Sequence, residues 1–271
     1  ARIARIYPLH IATLLGVAVI GNLLNPMGWG EGLKHFIPAL FLLHPFVPRM
    51  DYFFYFDSPS WSLGCEQLFY FLFPFLALFF AKKQKLIGAL LVCAVVVPVL
   101  MSMTDETNIR GYWYVNPLAR FPDFLVGMLL YRSKKLSFST ASLLEVGAVC
   151  IFLLFYMFSA DLVPKVYRYS CYYWMPISLV LLIFSLQKGF LSRILSNKYL
   201  VIGGDISYSF YLIHLWILFA YVQLAQTYDW HISLYISIPL IFAVTIGLSL
   251  LSYYYFEKPA NRWVKRILNK Q

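Results

Sequence analysis

Apolar runs of the length a bilayer demands recur from one end of this chain to the other, and that repetition constrains everything else. A hydrocarbon core about 30 Å thick takes about 17–25 helical residues to cross. Runs near that length lie at roughly 7–24, 62–80, 86–103, 117–131, 141–159, 169–187, 206–226 and 232–256. Hydrophobic residues make up 61% of the 271 and charged residues only 13%, against about 25% in soluble domains. Neither a linker, a low-complexity tract nor an internal repeat divides the chain, so residues 1–271 read as one all-α, polytopic membrane bundle.

The net charge of +10 would suit nucleic acid if it lined a soluble face, but it does not. The basic residues cluster between apolar runs: Arg2 and Arg5; Lys82, Lys83 and Lys85; Arg132, Lys134 and Lys135; Lys188, Arg193 and Lys198; and the tail from Lys258 to Lys270. The other loops hold Glu31, Asp51, Asp57, Asp105, Glu106, Asp161 and Asp229. By the positive-inside rule the first set is cytoplasmic, and membrane lipids rather than nucleic acid are its partners. With Arg5 and Lys82 both inside, the short apolar segment at about 36–48 cannot cross alone. It is expected to be a re-entrant or interfacial element on the outer side, giving about eight crossings with both ends cytoplasmic. The opening Ala1-Arg2-Ile3-Ala4-Arg5 then turns apolar without a small-x-small cleavage pattern after Leu24, which favours a retained helix over a signal peptide. Cys65, Cys93, Cys150 and Cys171 have neither metal-ligand nor redox spacing.

Ionisable groups inside apolar runs are expensive and so need a partner or a task. Glu66 lies about one turn into its run, behind Trp61 and Ser62 and before Tyr70. It either pairs with an arginine or hydrogen-bonds to Tyr and Trp, or it positions an acceptor hydroxyl or orients a histidine. Arg2 and Arg5, three apart, share a helical face and suit either phosphate oxygens or headgroup contact. Arg120 and Asp123 are also three apart; the arginine can neutralise that aspartate or reach Glu66. Gly203-Gly204-Asp205-Ile206-Ser207 reads as a turn into a helix N-terminus, a simple cap or an anion site. His214 is the most deeply placed histidine, a core residue or a supporting base; His10, His35 and His44 show no metal-ligand spacing, and no metal site is expected. Pro8 suits a helix first turn, and Pro259 suits the end of the last helix after Glu257-Lys258.

Taken in order, these segments resemble the acyltransferase-3 family. The matching elements are Arg2-Ile-Ala-Arg5-Ile-Tyr-Pro8, the Trp61-Ser-Leu-x-x-Glu66-x-x-Phe-Tyr70 segment, Arg120-x-Pro-x-Phe-x-x-Gly-Met128, Ile206-Ser-Tyr-Ser-x-Tyr-Leu-x-His214 and Phe256-Glu-Lys-Pro259. The resemblance implies a membrane O-acyltransferase with ten helices that moves acetyl or a similar acyl group from a cytoplasmic donor, usually acetyl-CoA, to hydroxyls of O-antigen, polysaccharide or other glycans. It implies no bound cofactor and a bacterial inner-membrane location. It assigns donor binding to Arg2 and Arg5 and a supporting role to Glu66 and His214. Trp61, Ser62, Tyr70, Arg120 and Asp123 are left as acceptor-site or structural residues. Gln67 stands where the family often has a second carboxylate. The family's essential histidine belongs to a first helix, so two further helices upstream of residue 1 are expected, and this chain alone is expected to be inactive.

A carrier or flippase for a lipid-linked sugar would also need buried Glu, His and Arg, and thioester consumption separates the two. The topology has its own test. Cysteines introduced near Glu31 and near Asp57 should both react with an impermeant external thiol reagent, and labelling of one flank only would overturn the eight-crossing count.

Overall fold

The computed structural model describes residues 2–24, 29–56, 58–133, 140–230 and 232–268; Asp57, Lys134, Lys135, Lys270 and the side chain of Arg2 lie outside the described residues. No strand occurs among the described residues. The helices are α1 Arg2–Leu24, α2 Trp29–Leu40, α3 Met50–Phe53, α4 Trp61–Phe79, α5 Lys83–Ser102, α6 Phe121–Arg132, α7 Ala141–Leu162, α8 Lys165–Arg168, α9 Trp174–Phe184, α10 Phe190–Leu195, α11 Lys198–Thr227, α12 Leu234–Ser252 and α13 Lys258–Leu268. Helix is the obligatory answer to these sequences, because in hydrocarbon each peptide group must find its partner within the segment.

Five stretches are long and apolar enough to cross a membrane: Trp61–Phe79, Lys83–Ser102, Ala141–Leu162, Lys198–Thr227 and Leu234–Ile267. The expectation of eight is met only in part. The apolar helices Ala4–Val19 and Cys171–Phe184 are shorter. The run expected at about 117–131 gives only the 12-residue α6, about 18 Å long. The cause is local: a π-helical turn occupies Arg110–Val115, and the helix starts at Phe121 with Pro122 in its first turn. The 36–48 segment also behaves as its length requires, splitting into the end of the 12-residue α2 and a 3-10 turn, His44–Phe46.

Three readings of local chemistry are corrected. Gly203 and Gly204 are not a turn, because α11 begins at Lys198 and runs through them, carried by Tyr199-Leu200-Val201-Ile202. Ser207 spends its hydroxyl on the Gly204 carbonyl, and no cap or anion site exists there. Nor does Pro259 end the last helix. The turn Tyr253–Glu257 is π-helical, with the Lys258 N–H donating to the Tyr253 carbonyl, and this register shift accommodates a residue with no N–H. Pro8 likewise lies inside α1, which starts at Arg2 rather than near residue 7.

The chain divides into two units. One comprises Ala1–His44, Asp51–Leu63 and Tyr199–Gln271. Within it α1 packs on α2 and α13. Tyr208 of α11 donates to the Ile6 carbonyl of α1 at 2.6 Å, and the Tyr221 and Ser237 hydroxyls join α11 to α12 at 2.5 Å. Gly16 admits the Trp216 ring, which stands 2.7 Å from where a Cβ would be.

The other unit comprises Pro45–Met50 and Gly64–Lys198. Phe80, Leu86, Leu125 and Met128 form its core, with Leu76, Leu90 and Phe124 against them. Arg132, at the end of α6, donates to the Phe80 carbonyl at 2.5 Å and so closes the C-terminus of α4. At the neighbouring short helix the roles reverse. The buried Glu145 of α7 accepts from the N–H groups of Gly189, Leu191 and Ser192 and from the Ser192 hydroxyl, while Ser142 takes the Phe190 N–H. A six-residue helix thus has its orphan donors satisfied from another helix.

That arrangement leaves no room at Gly189, where a Cβ would collide with the Glu145 carboxylate; its φ of −89° suits any residue, so the obstacle is space alone. Gly189→Ala should cost about 1–3 kcal/mol by displacing the carboxylate from its donors. Gly127→Ala in α6, with open space around it, should be neutral or gain up to about 1 kcal/mol. Thermal unfolding in detergent ranks the two, and equal stability would refute the capping role of Glu145.

Candidate functional site

The Trp61-Ser62 and Ser207-to-His214 segments, 149 residues apart at their point of contact, meet in the first unit. Ser62 donates to the Tyr211 hydroxyl at 3.0 Å, and Tyr211 donates to the Pro59 carbonyl at 2.6 Å. Trp61 opens α4 directly after the 3-10 turn Ser58–Ser60. The helix start therefore holds a defined position against α11. Within the same turn of α11, the Tyr211 carbonyl lies 2.7 Å from His214 Nδ1. A carbonyl only accepts, so Nδ1 carries a hydrogen, which leaves Nε2 as the nitrogen that can exchange a proton. Phe210 lies parallel to the imidazole, 6.1 Å between ring centres.

A second polar knot involves groups that sequence spacing could not pair. His44 Nε2 lies 3.2 Å from Ser60 Oγ with both side chains buried, and His10 Nε2 donates to the Ala39 carbonyl at 3.0 Å. His35 stacks on Tyr55 at 3.8 Å. His44 stands outside the spanning helices. Burial pushes its imidazole down from the ordinary 6.5 to about 3, with His10 acting the same way and the Pro38 carbonyl opposing.

In the first turn of α1, Arg5 is exposed. Its charge acts on the buried Glu257 carboxylate, which accepts from the Ser209 hydroxyl at 2.8 Å, and Asp205 also acts on it. Segments from the start, the α11 region and the end of the chain converge here. Glu257 and Ser209 were visible in the sequence only as motif positions. Their pairing across 48 residues was not.

In the second unit, Glu66 is exposed and accepts from the Tyr70 hydroxyl at 2.9 Å, one turn along α4. Arg120 is not its partner. The guanidinium lies 3.1 Å from Asp123, donates through Nε to the Tyr114 carbonyl at 2.8 Å and covers the Tyr114 ring at 5.1 Å. Asp123 also accepts from the Trp174 indole at 2.5 Å. Of the two partners the sequence offered Arg120, proximity within one helical turn selects the aspartate.

Comparison with known proteins bears on what these groups serve. The family model described as an acyltransferase domain matches residues 1–254. The acyltransferase MdmB of Streptomyces mycarofaciens is 28% identical over 148 residues, 48% of this chain and 38% of that protein. The match thus covers well under two-thirds of the relative. No solved structure matches.

The burial of His44 has a consequence for pH. The folded chain keeps the ring neutral where the unfolded chain takes up a proton. Stability is therefore undiminished above about pH 6.5 and falls as the pH drops toward 3. At about pH 5 the loss should be about 2 kcal/mol. His44→Asn should flatten that part of the stability profile, measured by thermal melts in detergent, and an unchanged slope would place the titrating group elsewhere.

Proposed function

The chain belongs to the acyltransferase-3 family, and we propose that it moves an acetyl or similar short acyl group from acyl-CoA to a hydroxyl of a carbohydrate or lipid-linked glycan. The family match favours an acyl-transferring enzyme over a carrier. The observation that carries the residue assignment is the Ser62–Tyr211 hydrogen bond with His214 fixed behind it. It ties the Trp-Ser segment to the helical turn that holds His214 by its Nδ1 hydrogen.

The reaction needs a base to take the acceptor's hydroxyl proton while its oxygen attacks the thioester carbonyl. It also needs donors for the developing oxyanion and a proton for the departing thiolate. His214 holds its Nδ1 hydrogen on the Tyr211 carbonyl, and the Tyr211 ring, 6.0 Å away between ring centres, carries a hydroxyl bonded to Ser62. In this reading His214 has a supporting role in that proton movement. Glu66, exposed and held by Tyr70, is free to orient an acceptor hydroxyl or an imidazole. Arg5 and Arg2 take the donor's phosphates on the cytoplasmic side of a bacterial inner membrane.

Assays on the protein at its full natural length test these roles. Glu66→Gln should lower acyl transfer about tenfold or more at unchanged folded yield. Equal activity per folded molecule would leave Glu66 a structural partner of Tyr70. Arg5→Ala and Arg2→Ala should each weaken acetyl-CoA binding by roughly 1.5–3 kcal/mol, read by calorimetry. Unchanged affinity in both would reduce these arginines to topology signals.

A further inference from the structure

Helix α13 lies beyond the residues the family model matches, and its surface is divided into three edges. At 100° per residue, Ala260, Asn261 and Val264 fall on one edge, are half-buried and continue the side of buried Glu257. This is the edge that suits the packing of α13 against α1. Trp263 and Ile267, one turn apart, form a second edge and are 64% and 48% exposed. Lys258, Arg262, Lys265 and Arg266 form the third, all exposed, and α13 contains no carboxylate to offset them.

The helix also reaches past the hydrocarbon. The continuous helical stretch Leu234–Ile267 has 34 residues, about 50 Å of helix against a hydrocarbon core of about 30 Å. Its last turns therefore belong to the headgroup region or the water beside it. Lys258 marks that boundary, with its ammonium 4.9 Å and 5.0 Å from the ring centres of Tyr254 and Tyr253.

We infer that α13 is an interfacial helix that binds the phosphate-bearing headgroups of anionic lipids through Lys258, Arg262, Lys265 and Arg266, with Trp263 and Ile267 seated at the acyl boundary. The exposed apolar edge decides between lipid and a soluble nucleotide. A helix that only gathered phosphates from water would gain nothing from leaving an indole and an isoleucine uncovered beside its cations, whereas a bilayer surface covers both edges at once. The inner edge of α13 packs on α1, and Glu257, the residue just before it, pairs with Ser209 and feels Arg5. Fixing α13 to the membrane surface therefore steadies the cytoplasmic end of the candidate site, and acyl transfer should rise with anionic lipid. That consequence rests on the proposed acyl transfer; the lipid binding does not.

The test uses the full-length protein in vesicles of phosphatidylcholine alone or mixed with phosphatidylglycerol. Amide exchange of residues 258–268 should slow about tenfold or more with phosphatidylglycerol in the wild type. The slowing should be absent in a triple variant, Arg262→Gln with Lys265→Gln and Arg266→Gln, in which glutamine preserves helix propensity. Trp263→Ser, which keeps every cation, should weaken protection in both vesicle types. Equal protection of the wild type in both vesicles overturns the inference. So does a triple variant that keeps its lipid response or that loses acetyl-CoA affinity in phosphatidylcholine alone, since the cations would then serve the donor. The transfer assay is read separately. Lipid-dependent protection with transfer indifferent to phosphatidylglycerol removes the regulatory consequence alone, and wild-type protein that transfers nothing in either vesicle removes the proposed reaction.

Discussion

A peptide group left without a partner in hydrocarbon costs several kcal/mol, and the architecture of this chain follows from avoiding that cost. Regular helix satisfies most backbone groups. What remains are chiefly helix ends, and at two of them side chains from other helices supply the missing partners. Arg132 takes the Phe80 carbonyl just past the end of α4, and Glu145 takes N–H groups at the start of α10. Each of these groups does two things at once, since the bond that completes a backbone also fixes one helix against another.

The same constraint explains what could be read from the sequence. Long apolar runs have one solution in lipid, so α4, α5, α7 and α12 were legible to within about four residues, as was the end of α11, although its start was not. Arg120 and Asp123 were legible because their pairing is a matter of helical spacing. Gly203-Gly204 and Pro259 misled because their breaking tendency is local and modest, about 1 kcal/mol for a glycine. A continuous helix with a π-turn absorbs them without loss of backbone bonds. The weaker spans failed for the opposite reason. Around α6 and α9, prolines and π or 3-10 turns shorten the helix, although the mean hydropathy of the run gives no warning.

Long-range pairings in the candidate site were illegible on principle. Ser62 and Tyr211 were each singled out within their segments, but nothing in either segment names the other. His44 and Ser60 are 16 residues apart with turns between them, where no helical periodicity applies. Glu145 left no signal at all: a glutamate early in an apolar helix looks like an interfacial charge, and only the position of Gly189 reveals its task.

Four carboxylates on these helices can be sorted by how far their acceptor capacity is used. An ionised carboxylate offers about four lone-pair sites. Glu145 is buried and takes four donors; Asp123 takes an arginine and an indole; Glu257 is buried, bound by Ser209 and faced by Arg5. Groups so engaged hold structure, and drawing one toward a substrate would strand its donors at about 1–3 kcal/mol each. Glu66 differs in kind: its hydrogen bond comes from a tyrosine on its own helix, and the side chain is exposed on a stretch apolar enough to cross a membrane. A charge in that setting is stable only facing a polar cavity, a substrate or another protein segment. Of the four, Glu66 alone is exposed.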